Sequence, residues 1–469
     1  MKRYISCFLA ALFIFLIFPL SSNAVTPLDE AAATAAILVD CESGFVLYEK
    51  NADAPVAPAS TTKIMTALLV FDAIAAGKTT LDTKVTATAP AFYGIEWDAS
   101  RVSPYIAEGE ALSVRDLLYC VMLHSDCVAC NILAIHVSGS VEAFVAQMNT
   151  RALELGCAGT NFVNTHGYTA NGHTSTARSL YLITKAAMAY EGFAEIVRAK
   201  GYTVPATNKF GARTIKNTNA LMAEDSSYYY PYVMGVKTGH TDAAGWCLCS
   251  YAQKDGRTLI CVVLGASQTV LPDNTKSIGS FTETKRLLEW GFSSYSFREI
   301  IPQGSIITQV KVADSNNEKV GLYSSEGARY LLACDVSDSD IISSVSLYNE
   351  SVAAPVSAGD AVGELTVTYN GTVIAQTTLF AANDVAKYVP DTSKNYITMI
   401  VILLIVVFLT AATITIITVE ESRRYKAPAK PVRKRRAVRE EYYDEYDDPD
   451  GDFFGEYIPE EEDMIYRHR

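Results

Sequence analysis

The sequence predicts an α/β (α+β) catalytic domain, an antiparallel sheet covered by helices, then a small all-β domain and one C-terminal transmembrane helix. Three observations support this reading. Residues 35–264 run in the order hairpin, helices, three-strand meander, an arrangement that lays helices on a sheet. After Trp290 the pattern changes to short β-rich runs separated by Gly, Ser and Asn, placing the all-β domain at 297–385. The stretch Tyr396 to Val419 then holds 24 residues without a charge, enough to cross a hydrocarbon core of about 30 Å as a helix.

The elements follow in chain order. Lys2 and Arg3, an apolar run from Cys7 to Leu20 and the small residues Ser22-Asn23-Ala24 read as a signal peptide over 1–24. Cys7 stands at the start of the apolar run rather than after it, so it is not read as a lipid-attachment residue. Ala35 to Lys50 reads as a hairpin turning at Glu42-Ser43-Gly44. Pro58, then apolar Ile64, Leu68, Phe71 and Ala75 until Gly77, predict a helix with Ser60 at its N-terminus and Lys63 on its first turn. Ser113-Val114-Arg115-Asp116 is a capping-box pattern opening a second helix that ends at Ser125. A third helix over about 128–137 makes Ser125 to Cys127 a tight junction. Tyr232–Gly239, Gly245–Gln253 and Thr258–Leu264 read as successive strands, the last two joined by Lys254-Asp255-Gly256-Arg257.

Composition bounds the function. The chain has 469 residues, 49% hydrophobic and 19% charged, which suits two folded domains with appendages and excludes a disordered protein. A net charge of -13 argues against nucleic-acid binding by the body of the protein. The cluster from Arg423 to Arg439 sits directly after the apolar span and reads as the positive flank of the cytoplasmic side. The N-terminal part is therefore expected outside the cytoplasm on a single-pass membrane protein, with a charged tail over 420–469. That tail passes from basic to acidic and tyrosine-rich, as either a solvated segment or a docking segment of unknown partner. Of ten cysteines, removal of Cys7 with the signal leaves an odd number, so at least one thiol is free. Cys127 with Cys130 and Cys247 with Cys249 lie in apolar surroundings without histidines at zinc-finger spacing, and read as buried structural residues.

Two short motifs supply chemistry. In Ser60-Thr61-Thr62-Lys63 the serine and lysine, three apart, share a helix face. A hydroxyl is a poor nucleophile until a base removes its proton, and a desolvated lysine near other cations can be neutral enough to do so. A helix N-terminus adds backbone N–H groups and a field favouring an oxyanion. On these four residues alone, Ser60 as a helix cap and Lys63 as a solvated side chain is the stronger reading. Lys237-Thr238-Gly239 adds a cation and a hydroxyl on a strand, suited to a substrate carboxylate, and a glycine that lets the substrate approach.

With both motifs in this order, residues 30–293 resemble the low-molecular-mass penicillin-binding proteins that are D-alanyl-D-alanine carboxypeptidases. The resemblance rests on Pro58-Ala59-Ser60-Thr61-Thr62-Lys63-Ile64-Met65-Thr66-Ala67, Met122-Leu123-His124-Ser125, Asn161-Phe162-Val163-Asn164-Thr165-His166-Gly167, His173-Thr174-Ser175-Thr176-Ala177 and Gly235-Val236-Lys237-Thr238-Gly239-His240-Thr241. It implies a serine β-lactamase/penicillin-binding-protein-like transpeptidase fold over 25–293. It also implies that Ser60 attacks the carbonyl between two D-alanines of a peptidoglycan stem peptide and that β-lactams acylate the same serine. Lys63 is then the base, Ser125 a proton shuttle, Lys237 and Thr238 the carboxylate site, and the backbone N–H groups of Ser60 and His240 the oxyanion hole. No metal or other cofactor is implied, and His166 and His173 are read as structural.

Two departures stand out. The family's Ser-x-Asn is here Ser125-Asp126-Cys127, and a thiol does not replace both donor and acceptor of an amide. An arginine that assists carboxylate binding in many relatives is replaced by Ser280, leaving Lys276 as the candidate substitute. The alternatives are a DD-transpeptidase, in which an amine takes the acyl group, and a sensor that binds stem peptides or β-lactams and reports through its tail. A class A β-lactamase is disfavoured because no Glu-x-x-Leu-Asn segment follows the middle motif.

Overall fold

The structure, a computed structural model, describes residues 28–425. The segment read as signal peptide and residues 426–469 of the tail lie outside the described residues. The first compact unit is organised by a five-stranded antiparallel sheet. The expected hairpin is β1 (Ala35–Asp40) and β2 (Val46–Lys50), and β1 also pairs along its length with the last strand of the meander, Ala35 opposite Leu264. All six residues of β1 are buried because both faces of the sheet are covered.

One face carries helices α1 (Lys63–Ala75), α2 (Val114–His124), α3 (Cys127–Ser138), α4 (Val141–Glu154), α5 (Ala177–Met188) and α6 (Glu191–Arg198). Ile37, Val39, Ile260 and Val262 point into this layer. α1 is apolar around nearly its whole circumference, as a helix enclosed by others must be. Its one acidic residue, Asp72, meets Arg151 Nε at 3.0 Å and the Tyr190 hydroxyl at 2.7 Å. α2 opens on the expected capping box: Ser113 Oγ accepts from Asp116 N and Asp116 Oδ2 accepts from Ser113 N, both at 3.0 Å.

The meander is β3 (Val233–Thr241), β4 (Gly245–Lys254) and β5 (Arg257–Ala266), and β3 forms one edge of the sheet. On the opposite face Leu38, Leu248, Leu259 and Val263 alternate outward to meet Phe281, Leu287 and Leu288 of α7 (Gly279–Ser294). The all-β region starts with β6 (Tyr295–Ile301), and its main sheet has six strands around Val320, Leu322, Leu365, Val367 and Leu379. Leu331 packs into the α7 core, joining the two regions by apolar contact.

None of the nine described cysteines forms a disulfide. Burial raises the thiols of Cys120, Cys130, Cys249 and Cys261 well above their ordinary range, so they fill space as small apolar residues. The second unit contains α8 (Ser393–Arg424), whose most apolar window has a mean hydropathy of 3.1. It is long and apolar enough to cross a membrane.

Candidate active site

The segment carrying Ser60 does not begin as the sequence predicts. Ala59–Thr62 form one turn of 3-10 helix and the α-helix starts only at Lys63. The cause is Ala59, a buried non-glycine residue held at φ +46, which breaks the helical path just before the serine. Ser60 consequently caps nothing; Thr61 Oγ1 donates to the Pro58 carbonyl at 2.6 Å.

Lys63 is fully buried, and its Nζ reaches Ser60 Oγ at 3.0 Å, the His166 carbonyl at 2.6 Å and Cys127 Sγ at 3.5 Å. The carbonyl is presented by a turn in which Asn164 Oδ1 accepts from Gly167 N at 2.7 Å. Gly167 has φ +82, and a Cβ there would lie 1.9 Å from the Ala59 carbonyl oxygen, so glycine lets this turn press against the serine segment. Val163 N donates to His173 Nδ1 at 3.0 Å, which leaves the ring proton on Nε2 to donate to Thr62 Oγ1 at 2.9 Å. Burial, then the charge of Lys63, lowers His173 to about 4 and His166 to about 3, so both are neutral near pH 7.

Ser125 follows the last turn of α2 in a left-handed conformation, φ 67, and its buried Oγ has no hydrogen-bond partner. Asp126 caps α3, accepting from Ala129 N at 2.8 Å and from Val102 N at 2.7 Å. Burial raises its carboxyl. These bonds fix the junction that sets Cys127 against Lys63 and Ser125 in the cavity wall.

On edge strand β3, Lys237 is 1% exposed and its Nζ donates to the Thr238 carbonyl at 3.0 Å. Burial, then the charge of Lys63, pulls this ammonium down to about 7. Thr238 Oγ1 lies 2.6 Å from Thr218 Oγ1. A Cβ on Gly239 would stand 2.9 Å from Ser60 N, so glycine leaves open the space in front of that N–H. His240 is exposed, with its ring 4.2 Å from that of Trp246.

Ser60, Ser125, Cys127, Thr238, Gly239 and His240 line one cavity of about 740 Å3. Lys63 and Lys237 lie behind its wall. Ser280 is buried, the cavity wall there is Ile278 and Phe281, and Lys276 is exposed on the strand that leads to Ile278. Asp98, Tyr168, Thr218 and Trp246 also line the cavity. Tyr168 follows the Asn164 to Gly167 segment and Trp246 opens a predicted strand, which are usable signals; Asp98 and Thr218 sit in loops that no sequence pattern marks.

Residues 21–268 match the family described as D-alanyl-D-alanine carboxypeptidase. The chain belongs to this family. Residues 295–387 match the C-terminal domain of penicillin-binding protein 5. The D-alanyl-D-alanine carboxypeptidase DacF of Bacillus subtilis is 30% identical over 76% of this chain and 86% of its own length. DacC of Escherichia coli is 33% identical over 80% and 90%. The crystal structure of penicillin-binding protein 5 from Haemophilus influenzae aligns with a TM-score of 0.57 at 29% identity, covering 77% of this chain and 99% of that one. The fold is accordingly that of the low-molecular-mass penicillin-binding proteins, and the chain is a serine peptidase of that family.

The contact between Gly167 and the serine segment can be measured. Gly167→Ala combines strain with a clash and should lower unfolding free energy by about 2–4 kcal/mol. Gly156→Ala, at φ +76 with nothing within 4 Å of the added Cβ, carries the strain alone and should cost about 1 kcal/mol. Denaturant unfolding followed by tryptophan fluorescence compares them; equal losses would show that the close approach is not formed.

Proposed function

We propose that this chain is a serine D-alanyl-D-alanine carboxypeptidase that removes the terminal D-alanine from peptidoglycan stem peptides through an acyl-enzyme on Ser60. The observation that carries this reading is the 3.0 Å contact between Ser60 Oγ and the Nζ of Lys63, a buried lysine with no carboxylate partner among the described residues. Lys63 in its neutral form takes the Ser60 proton as Oγ attacks the carbonyl carbon between the two D-alanines. The N–H groups of Ser60 and His240 hold the resulting oxyanion, in the space that Gly239 keeps free. On collapse the C–N bond breaks, and the proton that Lys63 took from Ser60 passes through Ser125 Oγ to the departing amine, which returns Lys63 to its neutral form. Water, activated by the same lysine, then hydrolyses the ester.

Lys237 supplies positive charge from beneath the wall, while the Thr238 hydroxyl meets the substrate carboxylate directly. Cys127 takes the place of the family's amide as a weak acceptor for Lys63 and a packing group. β-Lactams, which offer a strained amide and a carboxylate, would acylate Ser60 in the same way.

The arrangement along the chain supports a signal peptide at 1–24, a catalytic domain at 25–293 and a β domain at 297–385. A membrane span at 396–419 and a tail at 420–469 complete it. The apolar length of α8, followed by Arg423 and Arg424, supports a single-pass anchor with the catalytic domain on the cell-wall side and the tail in the cytoplasm.

The full chain in detergent should release D-alanine from a synthetic peptide ending in D-Ala-D-Ala. Ser60→Ala should reduce release to background, and Lys63→Met should reduce it by about 10²–10⁴-fold. Release surviving in Ser60→Ala would overturn the assignment; an acyl-enzyme that turns over only with an added amine would favour a transpeptidase.

A second test uses pH. The Lys237 ammonium is present below about pH 7 and lost above it, whereas the peptide carboxylate stays ionised throughout. Affinity of the Ser60→Ala protein for that peptide should therefore fall severalfold between pH 6 and 8. With Lys237→Met added, that slope should disappear. A slope unchanged by Lys237→Met would remove Lys237 from the carboxylate site.

A further inference from the structure

A peptide carboxylate has two oxygens, and an oxygen that loses its water without gaining a donor weakens the complex. At Thr238 one direct donor is on offer, a hydroxyl whose oxygen already lies 2.6 Å from Thr218 Oγ1. Lys237, beneath the wall, turns its Nζ to the Thr238 carbonyl at 3.0 Å. No lysine or arginine is among the residues that line the cavity, and the side-chain N–H donors there are His124, His240 and Trp246. His240 and Trp246 sit opposite each other in β3 and β4 with their rings 4.2 Å apart. His240 is two residues beyond Thr238, about 7 Å along the strand. His124 comes from the other side.

His124 is the last residue of α2, immediately before Ser125. Its backbone is tied to the Thr238 corner: the preceding carbonyl, that of Leu123, accepts from Thr218 N at 3.1 Å, and Thr218 carries the hydroxyl that meets Thr238. His124, Thr218 and Thr238 line the cavity together. The imidazole is half-buried, its Nδ1 is buried without a hydrogen-bond partner, and its Nε2 forms no hydrogen bond among the described residues. A donor N–H buried without an acceptor is costly, so the ring proton belongs on Nε2. The ring is then an N–H donor at the cavity with nothing in the protein to receive it, and the reaction steps above give it no task.

We propose that His124 binds the terminal carboxylate of the substrate through Nε2–H, as the second donor beside the Thr238 hydroxyl. His124 thereby helps to set the requirement for a free C-terminus, which separates removal of a terminal residue from cleavage within a longer peptide. This deepens the carboxypeptidase reading above and rests on it.

The test uses the full chain in detergent carrying Ser60→Ala, and one labelled peptide ending in D-Ala-D-Ala, either as the free acid or as its C-terminal amide. The ratio of the two affinities isolates the carboxylate. His124→Leu and His124→Phe remove the donor with side chains of different size, so that one variant that fails to fold leaves the other, and thermal unfolding reports which are folded. In a folded donor-free variant the preference for the acid should fall by about tenfold, the loss of one hydrogen bond to a charged group. His124→Gln, which keeps an N–H donor, should retain the preference to within about threefold. With Ser60 intact, the donor-free variants should lose kcat/KM for D-alanine release mainly through KM. An acid preference unchanged in a folded donor-free variant overturns the assignment, as does weaker binding that affects acid and amide equally. If the chain with Ser60 and His124 intact neither releases D-alanine nor reacts with benzylpenicillin, the carboxypeptidase reading itself is overturned.

Discussion

Two lysines buried within range of each other's charge are the constraint on which the rest of this site depends. Lys63 is wholly enclosed and Lys237 nearly so, and taking an ammonium out of water is costly unless polar groups replace its hydration. The fold supplies neutral acceptors: the His166 carbonyl, Ser60 Oγ and Cys127 Sγ around Lys63, and the Thr238 carbonyl for Lys237. A carboxylate partner would hold each lysine charged. Burial, and then the charge of Lys63, instead bring Lys237 to about 7, where gaining or losing a proton near neutral pH is cheap.

Meeting that constraint requires four distant segments to converge. The turn at Ala59 brings Ser60 over Lys63. The Asn164 to Gly167 turn closes on that segment through a position only glycine fills, and the junction capped by Asp126 holds Ser125 and Cys127 opposite. Strand β3 approaches Ser60 N because Gly239 has no side chain. The layered core is what makes this convergence rigid, since each segment leaves or enters an element packed against the sheet.

Much of this was legible in the chain. The hairpin, the capping box at Ser113 and Asp116 and the three-strand meander are local patterns, set by turn residues, caps and alternation within a few positions. What escaped reading is non-local. The left-handed Ala59 looks like any helix-forming alanine, and its carbonyl lies against the turn at Gly167, over a hundred residues away. Lys237 reads as a strand residue facing substrate; its place beneath the wall depends on the helices packed over it. The pairing of β1 with the last strand of the meander follows from sheet order, which periodicity does not encode. Asp98 and Thr218 reach the site from loops whose course only the assembled core determines.

The most direct measurement is the position of the acyl group. The full chain in detergent, treated with benzylpenicillin, digested and mapped by mass spectrometry, should carry the adduct on Ser60 alone, in the peptide that also contains Lys63. An adduct on Ser125 or Cys127, or a folded chain that takes up none, would contradict the assignment of Ser60 as the nucleophile activated by Lys63.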